Sequence, residues 1–595
     1  MTLVTASPAL HPWRDRATGT LLAAAVGDAL GWPFERRDRT RPLTGAPGGS
    51  GGFFAWERFA GSRQQRIPER VGAGDYSDDT QMTIAVARAR LMGGRQWLAW
   101  LERVEWPFLL DYERGAGASV KAACRAWARG RAPWEAPSSA VARYFATGAN
   151  GAAMRIAPHV LVHHQDLRFD ELATDVVRDA ATTHGHPRAL LGALVQAYAL
   201  WVSLREPAPL PYGWLVDTLL DDAKQWQQPF WRALPDAWQH RAGGHFDDRF
   251  DQAWLGVAAE VEQLLAAAQR ELREGAISAP TVFLTRQGLT STDARGSGTL
   301  CAVAAAYLAA RSASSPDRGL ATAAHLEGAD TDTLASMTGA LLGAALGTEW
   351  LGGYGRSVQD RTLLINLAEG LLTGPEKARM KTPTYEQAHR ARTVFTEQIS
   401  DVVGGPHVLQ LPDRRNAQVS PATGDNASRW LEAVTQDGQT LYLRRPDSRQ
   451  IPLFDVEPSP AATRVEQPRP RAPKPSSGAL LQGAYLPVAD AEHVRRTLKD
   501  FFGLDPDHYG PTWVSYGQLV LAQDREASAT PAQPVAQLHV SVTDPHKTRQ
   551  LLAGRDLMVM GDEDTGTFRI QIDPLLSVVF AAAGDRRVPR WDSGF

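Results

Sequence analysis

Two short acidic stretches, far apart in the chain, set the tightest condition on any fold this sequence can adopt. The first reads Tyr76-Ser77-Asp78-Asp79-Thr80 and the second Gly328-Ala329-Asp330-Thr331-Asp332-Thr333. Each opens a helix-like run, Gln81 to Ala87 after the first and Leu334 to Leu341 after the second. Asp, Ser and Thr favour helix N-caps, and the helix dipole stabilises acidic groups in a first turn, so either stretch alone reads first as a cap. Paired carboxylates at two helix starts exceed what capping requires. If the two stretches meet, four carboxylates share one place, and such a cluster repels itself unless protons or cations neutralise it. Carboxylate and hydroxyl oxygens suit Mg2+ and Mn2+. Neither stretch holds a histidine or cysteine that would suit zinc.

Further segments belong with these two. A small-residue helical run from Gly19 ends in Gly27-Asp28-Ala29-Leu30-Gly31-Trp32-Pro33-Phe34-Glu35. Later come Arg114-Gly115-Ala116-Gly117, Gly148-Ala149-Asn150-Gly151-Ala152-Ala153-Met154-Arg155 and Thr182-Thr183-His184-Gly185-His186-Pro187. Taken in order, these segments resemble the ADP-ribosylglycohydrolase family. That family's pattern is a Gly-Asp-Ala-Leu-Gly helix followed by a glutamate, then Thr/Ser-Asp-Asp-Thr, Gly-Asn-Gly-(Gly/Ala)-Ala-Met-Arg, Thr/Ser-His-x-x-Pro and finally Gly-Asp-Thr-Asp-Thr. The chain departs from it at Ala329, where a second glycine is usual, and at Ala149, which stands as an insertion before Asn150. The resemblance ends before about residue 370 and leaves the rest of the chain uncovered.

The resemblance implies a compact all-α domain and a metal-dependent hydrolase that releases ADP-ribose by cleaving the bond at the anomeric carbon of the distal ribose. It implies two divalent cations, Mg2+ or Mn2+, on Ser77, Asp78, Asp79, Asp330, Asp332 and Thr333. Glu35, Asp78 and Asp79 take the catalytic positions, with Glu35 as a base or water-orienting group. Asn150, Gly151, Met154, Arg155, His184, Gly115 and Gly117 match segments that line or flank the ADP-ribose pocket. For Arg155 a structural ion pair is an equal reading. Asp28 is expected to be structural, and Asp111 is a possible acid-base partner. The acceptor stays open among a protein side chain, a nucleic-acid base and a small ADP-ribosyl compound. The competing reading is a non-catalytic module that grips an ADP-ribosylated target or an ADP-ribosylating toxin.

A net charge of -3 gives no global basic field for nucleic acid or membranes. Two cysteines, Cys124 and Cys301, make no disulfide framework, and a cytoplasmic setting is expected. Leu334 to Leu346 is apolar but shorter than the ~20 residues that span a bilayer. Its glycines, Gly339, Gly343 and Gly347, recur every four residues and suit close helix packing.

Alanine-rich periodic runs predict a mainly α chain, with an all-α domain over 14–375 and little strand-like alternation. Residues 376–455 read as a helix and short strands, with a hairpin turn at Gln436-Asp437-Gly438-Gln439. A proline-rich tether is expected over 456–478. Residues 479–595 read as a small α+β domain in which a strand, an aspartate and a helix recur, at Tyr485-Asp490 and at Leu538-Asp544. This resembles the paired βαβββ modules of the vicinal-oxygen-chelate superfamily. The expected role of this region is contact with a toxin or target protein.

Overall fold

Glycines decide how the two acidic stretches come together. Helix α1 (His11–Glu35) and helix α6 (Thr331–Leu346) run antiparallel, backbone against backbone. In the computed structural model, a Cβ at Gly19 would fall 2.6 Å from the carbonyl oxygens of Gly343 and Gly347. One at Gly27 or Gly31 would overlap the carbonyls of Ala335 or Thr331, and one at Gly339 would overlap Ala23. No side chain fits between the two axes, so the pair is set by residue size at these steps. The close approach delivers Glu35 at the end of α1 beside Asp330–Thr333 at the start of α6, and the Thr331 hydroxyl donates to the Gly31 carbonyl at 2.8 Å.

The structure describes residues 11–35, 40–42, 52–61, 66–274, 278–374, 378–402, 406–422 and 430–444, and then only the strands between 484 and 582. Two compact units divide the chain, Met1–Val456 and Glu457–Phe595. In the first, α2 (Asp78–Gly93), α4 (Pro187–Arg205) and α5 (Gly298–Ser312) pack against the α1–α6 pair, and α3 (Asp170–Ala181) packs on α4. Nearly every residue of α2, α4, α5 and α6 is buried; low polarity on all sides explains this for α4, α5 and α6, whereas α2 buries Asp78, Asp79, Gln81, Arg88 and Arg90 as well. Helix α4 is long and apolar enough to cross a membrane by length and composition, but 83% of it is covered by its own protein.

The chain is mainly helical, as its alanine-rich runs predict, but the first domain is not all-α, since it also carries a small sheet. Strands β1 (Thr40–Pro42), β2 (Trp56–Gly61) and β3 (Arg66–Val71) form an antiparallel sheet between α1 and α2 in the chain. Its inner face carries Glu69 beside Val71, and Glu69 is 3% exposed because Arg58 and Arg114 neutralise it. A charged residue on the core face breaks the hydrophobic alternation that marks a strand.

After α7 (Arg361–Thr373) and α8 (Tyr385–Ser400) comes a meander of β4 (His407–Gln410), β5 (Asn416–Pro421), β6 (Trp430–Thr435) and β7 (Thr440–Arg444). The β6–β7 hairpin turns at the expected place, with Gly438 at φ +89°. This sheet belongs to the first compact unit. The second unit holds two four-stranded sheets of one topology. Their orders are β8 (Ala484–Val488), β11 (Leu519–Gln523), β10 (Trp513–Tyr516), β9 (His508–Gly510), and β12 (Ala536–Val542), β15 (Leu576–Ala582), β14 (Phe568–Asp573), β13 (Val559–Met560). In each, the first strand lies parallel to the last, and the other pairs are antiparallel. The expected proline-rich tether and the helical runs after Asp490 and Asp544 lie outside the described residues.

Candidate active site

The start of α2 is held by a residue from α1. Asp28 is fully buried, and its carboxylate accepts the Ser77 N–H at 3.0 Å, the Thr80 N–H at 3.0 Å and the Thr80 hydroxyl at 2.6 Å. It thus occupies the orphan donors of the first turn, which frees the α2 acids from capping. Ser77 still caps locally, its Oγ accepting the Asp79 N–H at 3.2 Å.

The two stretches do meet. The Thr333 hydroxyl, on α6, donates to Asp79 Oδ2 at 3.3 Å. Asp79 Oδ1 is buried without a partner. The Asn150 amide donates to Asp330 Oδ2 at 2.9 Å, and the Asn150 N–H is fixed on the Gly296 carbonyl at 2.9 Å. The Met154 sulfur lies 3.9 Å from the Thr333 hydroxyl. Gly115 has φ +128°, and a Cβ there would lie 2.6 Å from Asp78 Oδ1. A glycine is required at that position both by the backbone and by the carboxylate behind it.

Burial pushes the carboxyls of Asp78, Asp79 and Asp332 well above the usual carboxylate range, and neighbouring acids push further. For Asp78 these are Glu113, Asp28, Glu35 and Asp330; for Asp79, Asp28, Asp78 and Asp330; for Asp332, Glu35, Asp330 and Asp79. Each of these neighbours is itself a carboxylate. The donor set is hard oxygen throughout, one buried oxygen lacks a partner, and the dominant charges are of one sign. Those are the properties of residues that fit divalent cations. A cleft of about 750 Å3 opens on this cluster, lined among others by Glu35, Asp330, Ala149, Arg188, Glu260 and Arg295.

Other expected residues lie elsewhere. Arg155 is fully buried and does not face a ligand: it donates to Asp179 Oδ1 at 3.0 Å and to the Gly151 carbonyl at 2.7 Å, under the Trp106 ring at 4.8 Å. Its task is to hold the Asn150–Arg155 turn. His184 packs against Gly151 and is pushed down to about 3 by burial and by Arg155, so it is neutral, with Nδ1 2.8 Å from the Thr183 hydroxyl. Gly117 has open space around it. Asp111 is no acid-base partner, because Arg392 grips both its oxygens at 2.9 and 3.0 Å.

Sequence reasoning missed Glu113, the foremost charge acting on Asp78, and the Arg188–Glu260 pair in the cleft. Glu113 stands in a loop, and Arg188 and Glu260 lie on separate helices, so no local pattern singles any of them out. Among the described residues, the acidic or imidazole side chains whose ligand atoms lie close enough together for three to share one ion are His163, Asp166 and Glu171, and both imidazole nitrogens there are engaged, by Asp166 at 2.5 Å and Asp175 at 3.0 Å; no three of the acids around Asp78 and Asp332 come that close.

Comparison with known proteins matches this architecture to one family. The ADP-ribosylglycohydrolase family profile covers residues 9–379. The uncharacterized protein YegU of Escherichia coli (strain K12) is 26% identical over 349 residues, which span 56% of this chain and 88% of that protein. A solved structure described as an ADP-ribosylglycohydrolase-related protein complex aligns at 22% identity and a TM-score of 0.37, over 61% of this chain and 99% of that one. With its carboxylate stretches, glycine-packed helices and more than half its length inside the profile, the chain belongs to the ADP-ribosylglycohydrolase family.

Proposed function

We propose that this protein is a cation-dependent hydrolase that removes ADP-ribose from a modified acceptor by cleaving the bond at the anomeric carbon of the distal ribose. The observation that carries the reading is the meeting of Asp78 and Asp79 with Asp330, Asp332 and Glu35 at one end of a large cleft. Ser77, Asp78, Asp79, Asp330, Asp332 and Thr333 would hold two divalent cations, Mg2+ or Mn2+. Bound there, such ions supply positive charge that polarises ribose hydroxyls and stabilises developing negative charge.

The chain's own residues do the rest. Glu35 lines the cleft beside Asp330 and orients the attacking water, accepting its proton as the oxygen bonds to the anomeric carbon; the acceptor leaves with the electron pair of the broken bond and takes a proton from solvent. The anomeric carbon passes through an oxocarbenium-like state, which nearby carboxylates favour. Asn150 fixes the Asp330 carboxylate. The neutral His184 packs where a Gly151 side chain would stand and so supports the turn that carries Asn150. Arg188 and Arg295 place cations along the cleft, where a diphosphate would compete with Glu260 for Arg188. The second unit contributes recognition of the ADP-ribosylated target.

Release of ADP-ribose from small ADP-ribosyl compounds tests this. Activity should vanish in EDTA, return with Mg2+ or Mn2+, and fall at least a hundredfold in Asp332→Ala with the melting temperature in chelator preserved. Tight ADP-ribose binding without turnover of arginine-, serine- or base-linked substrates would favour the non-catalytic module instead.

A further inference from the structure

The β4–β7 sheet begins beyond residue 379, where the family profile stops, yet its last hairpin reaches the supports of the carboxylate cluster twice. At the first point, the Tyr442 ring on β7 lies over the Arg114 guanidinium at 4.3 Å, with Trp32 covering the same group at 5.2 Å. Arg114 is 1% exposed and donates to Glu69 Oε1 at 2.8 Å and Asp75 Oδ2 at 3.0 Å. The next residue is Gly115, whose backbone backs directly on Asp78. At the second point, the Thr440 N–H donates to the Asp360 carboxylate at 3.0 and 3.1 Å. Asp360 accepts the buried Tyr76 hydroxyl at 2.6 Å, and Tyr76 immediately precedes Ser77.

The hairpin is itself anchored on the elements it braces. Its turn residue Asp437 accepts from Arg88 of α2 at 3.1 Å, and the Arg444 N–H donates to the Asp111 carbonyl at 3.2 Å, at the start of the loop that carries Arg114. Residues 72–77 and 110–117 flank Asp78 and Asp79 and contain no regular helix or strand. Such segments keep a fixed place only through tertiary contacts. Ligand carboxylates must be held to within ~0.5 Å to bind an ion well. Contacts that merely stabilised the sheet would fall on its own exterior, where Val408 and Val434 are left exposed. These fall instead on the residues next to the ligand positions, from both sides.

We infer that the β6–β7 hairpin is a positioning element of the carboxylate cluster, with Tyr442 acting through Arg114 and Gly115 on Asp78, and Thr440 acting through Asp360 and Tyr76 on Ser77. The inference rests on the reading of the cluster as the cation-holding centre.

The full chain and its Tyr442→Leu, Tyr442→Phe, Tyr76→Phe and Val434→Ala variants test it. Hydrogen exchange over residues 112–117 is measured in chelator, and Mn2+ affinity by calorimetry. Tyr442→Leu keeps apolar bulk but loses the ring face, and should raise exchange over 112–117 at least tenfold and weaken Mn2+ at least tenfold. Tyr442→Phe should stay within twofold of wild type, and Val434→Ala should change neither. A Tyr442→Leu protein that melts earlier while its exchange over 112–117 and its Mn2+ affinity stay at wild-type values overturns the inference. Should that variant not fold, Tyr76→Phe reads the second brace with the hairpin intact: at least threefold weaker Mn2+ binding supports the inference, and unchanged affinity overturns it. A wild-type protein that binds no Mn2+ refutes the cation reading, and the exchange data then decide the positioning by themselves.

Discussion

Replacing Asp79 with asparagine should make the cation-free protein more stable and the cation-loaded protein less so. Asp79 is 2% exposed. Its Oδ2 accepts from Thr333 at 3.3 Å, and its Oδ1 has no partner. The charges that act on it are those of Asp28, Asp78 and Asp330, so beyond the Thr333 hydrogen bond only a proton or a cation offsets its own. A buried polar group without a partner costs about 1–3 kcal/mol, and more if charged. Asparagine keeps the Oδ2 acceptor for Thr333, removes the charge, and puts an amide N–H where the neighbouring carboxylates can accept it. In EDTA the substitution should therefore raise stability by about 1–3 kcal/mol, which at about 2 °C per kcal/mol is a Tm rise of about 2–6 °C.

With Mn2+ the order reverses. An ion that binds only the folded state stabilises it by about 2.7 kcal/mol at a hundred times its Kd. Wild type should gain that increment and Asp79→Asn should lose most of it, along with turnover. Scanning fluorimetry of both proteins, with EDTA and with excess Mn2+, gives the four numbers needed. An Asp79→Asn protein that melts at or below wild type in EDTA would show that the carboxylate is compensated within the protein, and the electrostatic case for an ion would fail.

Two further outcomes follow from the geometry. Gly115→Ala should cost about 1–3 kcal/mol from its positive φ and should lower kcat more than KM, because its Cβ would displace the Asp78 carboxylate; steady-state kinetics beside a melting curve checks both parts. A chain ending at residue 455 should keep hydrolysis of small ADP-ribosyl compounds while KM rises for the macromolecular target. A chain ending at 379 strips Asp413 and Asp437 from the buried Arg88, at a cost of about 3–5 kcal/mol per broken buried pair, and should give no cooperative unfolding transition.

What was legible in the sequence was chemistry packed into short windows. Asp78-Asp79 and Asp330-Thr331-Asp332-Thr333 announce themselves because a helix start needs one acceptor and these supply several. The glycine steps at Gly339, Gly343 and Gly347 were readable as close packing because their spacing repeats along a helix, whereas those of α1 were not singled out. The β6–β7 turn was readable because Gly438 sits where a positive φ is needed. The first sheet was not, since Glu69 occupies a core-facing position that only Arg58 and Arg114 make tolerable. For Arg155 the choice between a pocket residue and a structural ion pair stayed open because its partner, Asp179, sits on another helix with no local sign of the pairing.

The buried charges whose partners lie far off in the sequence share one property, which bears on how the site works. Glu69, Asp75, Arg88, Arg114, Arg155, Asp179 and Asp360 are charges spent inside the protein, each matched by a partner remote in sequence. The cluster at Asp78, Asp79 and Asp332 is different because the neighbours that dominate it are acids. A fold that neutralises buried charge so consistently around the cluster, and not within it, concentrates its unsatisfied electrostatics in one place. The surrounding ion pairs hold the two carboxylate-bearing helix starts in place against their own repulsion, which relaxation would otherwise relieve. That is the preorganisation that bound cations and the oxocarbenium-like state proposed above would require. It also explains why the bracing extends past the family's own segment: Tyr442 and Thr440 reach the loops on either side of Asp78, where a small displacement would do the most to disperse the charge.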